Sequence, residues 1–119
     1  MALKNVLHRL TAPMSELDEE KLKEFCAGRS ECLSISEAQP RKEVTLVGEI
    51  TSLRIVPRAG SPSLEATISD GTGALIAVWT GRRRIAGVAP GRRLMINGRG
   101  APIGYRGRLL IYNPRYELL

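Results

Sequence analysis

Histidine occurs once in the 119 residues, as His8, and cysteine twice, as Cys26 and Cys32. A structural metal site takes about four nitrogen, sulfur or oxygen ligands, and these three side chains do not assemble such a set. No metal and no cofactor is expected, and two unsupported thiols in a cytosolic chain stay reduced. The scarcity of histidine also bears on catalysis. A nucleophile needs a base beside it, and the carboxylates of the second part of the chain (Glu43, Glu49, Glu65, Asp70, Glu117) are scattered. The chain therefore reads as a non-enzymatic protein. No phosphate loop of the form GxxxxGK[ST] is present. No apolar run approaches the roughly 20 residues that cross a bilayer. The opening MALKNVLHRL breaks its apolar residues with Lys4, Asn5, His8 and Arg9, unlike a secretory signal. The expected location is cytoplasmic. Aromatic residues number five (Phe25, Trp79, Tyr105, Tyr112, Tyr116), too few for an oligosaccharide site built on ring platforms.

What is abundant is arginine, and it is unevenly placed. Residues 1–40 carry five basic against seven acidic groups, whereas residues 41–119 carry thirteen basic against five acidic ones. Twelve of those thirteen are arginine. The net charge of +6 is thus the balance of an acidic segment and a strongly basic one, a division that points to a polyanionic partner for the second part.

Hydrophobic spacing divides the chain at the same place. Leu3, Val6, Leu7 and Leu10 form one stripe of a short helix ended by Pro13. A second helix is predicted over about 15–27, capped by Ser15, with acidic first turns that suit the helix dipole. Leu17, the stem of Lys21, Leu22, Phe25 and Cys26 form its inward stripe, and Gly28 terminates it. From residue 41 the period becomes two. Val44, Leu46, Gly48 and Ile50 begin a first strand, continued by Leu53, Ile55 and Val56 after a bend near Ser52. Pro57–Pro62 reads as a loop. A second strand holds Leu64, Ala66 and Ile68, Asp70–Gly73 makes a tight hairpin, and a third strand spans about 74–80. Arg82–Gly91 allows a short helical turn. A fourth strand holds Leu94, Ile96 and Gly98, and a fifth runs over about 105–117, kinked at Asn113–Pro114. Glycines inside the first and fourth strands permit the sharp bends of a closed sheet. The expected fold is mainly β, a five-stranded OB-fold barrel over 41–119 preceded by a helical extension over 1–40.

The motifs V-x-L-x-G-x-I (Val44–Ile50), D-G-T-G (Asp70–Gly73) and G-x-x-L-x-I-x-G (Gly91–Gly98) resemble OB domains of the anticodon-binding superfamily. The ending from Ile111 to Leu119 is similar to the last strand of the wedge OB domain in branched-DNA helicases. Residues 41–119 as a whole look like small stand-alone actinobacterial OB proteins that bind nucleic acid. The resemblance implies a barrel and a nucleic-acid ligand; it carries no helicase motor.

A single-strand binder needs cations along a groove and flat side chains for stacking. Arg82, Arg83 and Arg84 follow the third strand. Arg93 and Arg99 face outward on the fourth by alternation. Arg106 and Arg108 are expected on the fifth strand, beside the loop between strands four and five, with Arg54 at the end of the first strand and Arg58 in the loop after it. In OB proteins the loops after strands one and four, with the face of strands two and three, line the ligand cleft. Trp79 and Tyr105 are the stacking candidates, with Tyr112 behind them; Trp79 serves equally well as core filler beside Ile76, Val78 and Ile85. Tyr116 is placed at the barrel bottom. These arginines are expected to form one cleft for single-stranded or branched DNA, or for RNA. The alternative is a protein–protein interaction module, since OB barrels serve both uses. Arginines converging on one face would favour nucleic acid, and a contiguous exposed apolar patch would favour protein.

Overall fold

The computed structural model describes residues 16–27 and 32–119, with helix side chains from Glu20 to Phe25. The predicted helix over Leu3–Leu10, the cap Ser15 and the terminator Gly28 lie outside the described residues. A helix α1 (Glu16–Ala27) and a 3-10 turn (Ile35–Glu37) precede the strands β1 (Glu43–Arg58), β2 (Ser61–Ser69), β3 (Ala74–Thr80), β4 (Arg93–Arg99), β5 (Leu109–Tyr112) and β6 (Arg115–Leu118). The chain is mainly β, in one sheet ordered β5-β3-β2-β1-β4-β6. Its pairings are antiparallel except β3 with β5.

Six strands replace the expected five because the last one is interrupted. Asn113 adopts a φ of 50°, donates its N–H to the Val78 carbonyl and accepts the Thr80 N–H on Oδ1. Pro114 has no N–H to continue a ladder. Upstream of this break the chain pairs with β3, downstream with β4. No continuous ladder closes the sheet: β4 and β5 meet at an isolated bridge from Gly100 to Ile111 and at the Ala101 N–H donated to Leu110.

β1 serves two neighbours. Its first half pairs with β4 and its second with β2, and the register slips between Ile50 and Ser52, where a bend was expected. Gly48 sits just before the slip because nothing larger fits. A Cβ there would stand 2.6 Å from Ile68 Cγ2 and 2.8 Å from the Ser69 carbonyl oxygen.

Two expectations fail between the strands. Pro57–Pro62 is not a loop: β1 and β2 stay paired to Arg58 and Ser61, with Pro57 opposite Pro62. The turn is only Ala59-Gly60, both at positive φ (49° and 80°), the geometry of a tight two-residue hairpin. Arg82–Gly91 forms turns and no helix; Gly81, Gly87 and Gly91 all take positive φ, which interrupts helical backbone.

Alternate residues of β1 to β5 meet in the main core, among them Leu46, Ile50, Ala66, Leu75, Ile96 and Ile111, and Tyr116 and Leu118 of β6 pack against it. Trp79 belongs to it at 6% exposure. Its indole N–H donates to the Pro114 carbonyl at 3.2 Å, and its ring meets Tyr116 edge-on at 5.9 Å. Ile35 joins the same core and donates its N–H to Asp70 Oδ2 at 2.8 Å. Residues just before 41 therefore help build the core of the sheet. α1 packs on β1 through Leu22, which is fully buried; Lys21 is exposed rather than inward. The side chains of Leu17 and Cys26 are not among those described.

Candidate nucleic-acid interface

Alternation sends half of each strand away from the core, and the bend in β1 splits that outer surface in two. One part, on β1 and β4, carries Val47 opposite Met95 and Glu49 opposite Arg93. Arg93 Nε donates to Glu49 at 3.2 Å, and its guanidinium lies 4.4 Å from the Phe25 ring of α1. This arginine ties the helix to the sheet. It lies on the β1–β4 part of the outer surface, apart from the Arg58 cluster, contrary to the single cleft expected. Arg99 donates to the Arg41 carbonyl at 2.7 Å.

The other part is built from the second half of β1 with β2, β3 and β5. Register places Arg54 opposite Glu65, Glu65 opposite Val78, and Val78 opposite Tyr112, so these side chains form one row. Arg58 starts opposite Ser61 and reaches back to Glu65, donating Nη2 to the carboxylate at 3.0 Å. Glu65 is only 4% exposed. A buried carboxylate without a partner is costly, so the pair holds the guanidinium in place. It sits 5.7 Å from the centroids of both Tyr105 and Tyr112, and Arg106 lies 5.2 Å from Tyr105 on the β4–β5 loop. Tyr105 rests on a small apolar cluster of Ile76, Val78 and Leu110. Two buried polar atoms here, Arg58 Nε and Ser63 Oγ, have no hydrogen-bond partner.

The remaining predicted residues do not converge. Arg54 joins Arg83 and Arg84 around a cavity between the β1–β2 hairpin and the β3–β4 loop. Arg82 lines a different opening, with Tyr116 and Arg115. Arg108 lines a third, beside Gly71–Gly73 and Ser36. The single arginine cleft is thus corrected to two neighbouring clusters, Arg58–Tyr105–Tyr112–Arg106 and Arg54–Arg83–Arg84. Alternation gives the side of a strand, but the curl of the sheet decides which outward residues become neighbours. Trp79 leaves the stacking set because its ring fills the core. Glu65 had no assigned role; its outward parity between Leu64 and Ala66 was the available signal.

Among the described residues no group of three or more His, Cys, Asp or Glu side chains could hold a metal ion. No described helix is long and apolar enough to cross a membrane. The chain matches no protein-family model and no curated protein.

Proposed function

We propose that this chain is a non-enzymatic nucleic-acid-binding protein of the OB type, which holds single-stranded or branched DNA, or RNA, without strong sequence preference. The observation that carries the reading is the Arg58 guanidinium, pinned by buried Glu65 beside both Tyr105 and Tyr112. Arginine engages phosphate in bidentate fashion. Tyrosine offers a π-face that any base can stack on, and Tyr112 is 44% exposed. Few base-reading groups accompany them, so affinity would come from phosphate charge and stacking, which are sequence-tolerant. Taken together, β5 and β6 act as one broken fifth strand joining β3 to β4, which supports a partly open OB barrel. In that fold the ligand face is formed by strands two and three with the β1–β2 and β4–β5 connections.

The alternative is a module that docks onto another protein, favoured by Ile103, an isoleucine at the tip of the β4–β5 loop that is 80% exposed. Fluorescence anisotropy with labelled single-stranded DNA, single-stranded RNA, a fork and a duplex separates the two. The nucleic-acid reading expects saturable binding to the single strands and fork, weakened by Tyr112→Ala. Absence of binding to all four at low salt would favour docking.

A further inference from the structure

The cavity between the β1–β2 hairpin and the β3–β4 loop encloses about 390 Å³. Its floor includes Leu64 and Val88, both buried members of the main core. Ile55 forms a wall and is 57% exposed. Around this apolar lining stand Arg54, Arg83 and Arg84, all exposed. The two ion pairs among the described residues are Arg58–Glu65 and Arg93–Glu49, so none of these three is paired with a described carboxylate. Three like charges gathered beside an uncovered isoleucine oppose compact folding. A ligand both anionic and apolar would relieve both defects.

We propose that this cavity receives the terminal nucleotide of a strand, its phosphomonoester on the arginines and its base against Ile55 and Leu64. The inference rests on the nucleic-acid reading above and adds an end preference to it. Two features select an end. The volume is at the low end of small-ligand sites, which run from about 300 to 1,000 Å³, and accommodates a single unit better than a run. A terminal phosphomonoester carries about −1.5 to −2 charge near neutral pH, against −1 for each internal phosphodiester, and so suits a cluster of three arginines better.

The test uses the full chain and one labelled single-stranded DNA in four forms: 5′-phosphorylated, 3′-phosphorylated, hydroxyl at both ends, and circular. One phosphorylated form should bind about tenfold tighter than the hydroxyl and circular forms, the effect of one or two charge-assisted hydrogen bonds. R83A/R84A should erase that difference, bringing the phosphorylated form to the affinity of the hydroxyl and circular forms. Its thermal melt should match the parent protein, both arginines being exposed. Equal binding of all four forms would overturn the end site while leaving general binding intact. If no strand binds, the nucleic-acid reading fails and a nucleoside monophosphate decides the cavity. Shifts of the Ile55, Leu64 and Val88 methyl resonances on its addition support the site, and unchanged resonances overturn it.

Discussion

Glu65, buried on the outer face of β2, accepts a hydrogen bond from Arg58 Nη2 at 3.0 Å, and the Arg58 side chain above it keeps 30% of its exposure. One member of the pair is sealed and the other half open, so losing Arg58 strands a buried charge. Arg58→Ala should destabilise the protein by about 2–3 kcal/mol, below the 3–5 kcal/mol of fully buried pairs. Replacing both residues by apolar ones, Arg58→Met with Glu65→Leu, should recover most of that loss. Urea denaturation of the two variants checks this; equal destabilisation of both would contradict it.

Gly48→Val should cost about 1–3 kcal/mol through overpacking, since its Cβ would press on the Ser69 backbone as well as on Ile68. Gly73→Ala is the control. Its nearest neighbour would be 3.5 Å away and its φ is not positive, so its effect should stay within about 0.5 kcal/mol. Chemical denaturation of both variants gives the comparison, and a neutral Gly48→Val would show that β1 can bend elsewhere.

Ala59 holds a φ of 49° in a two-residue turn, a conformation that costs an L-residue about 1–2 kcal/mol. Ala59→Asn, giving Asn-Gly, should raise stability by about 0.5–1 kcal/mol. A melting temperature unchanged or lowered would show that the alanine is not strained there.

Trp79→Ala should cost about 3–5 kcal/mol, as it empties a core position and removes the bond to the Pro114 carbonyl. At a temperature where the variant remains folded, its affinity for a single strand should equal the parent's. A lowered affinity with an unchanged melt would return Trp79 to the binding surface.

Local chemistry made much of the fold legible. Asp70 bonds the N–H groups of Thr72 and Gly73 through Oδ1, as its place before Gly-Thr-Gly suggests, and the period-two runs correctly placed Val44, Leu46, Ile50, Leu64, Ala66, Ile68, Leu94 and Ile96 in the core. Ile76 and Val78, expected beside Trp79, lie instead on the other face of β3 with Leu110. The β1–β2 turn was hidden because two prolines and a glycine usually mark a loop, while here the prolines face each other across paired strands. The site was legible in its ingredients but not in its grouping. Arg93 does face outward, yet nothing local shows that Phe25 would lie over it. The row of Arg54, Glu65, Val78 and Tyr112 depends on a parallel pairing between β3 and β5, a non-local register that alternation within each strand cannot supply.

The most direct test of the account is the salt dependence of single-stranded DNA binding. If Arg54, Arg58, Arg83, Arg84 and Arg106 each engage one phosphate, log K against log salt should fall with a slope of about −3.5, each contact contributing about −0.7. R83A/R84A should flatten it to about −2.1, whereas Tyr112→Ala should lower affinity by about 1–3 kcal/mol at an unchanged slope. An affinity indifferent to salt, or a slope that R83A/R84A leaves unaltered, would contradict the account.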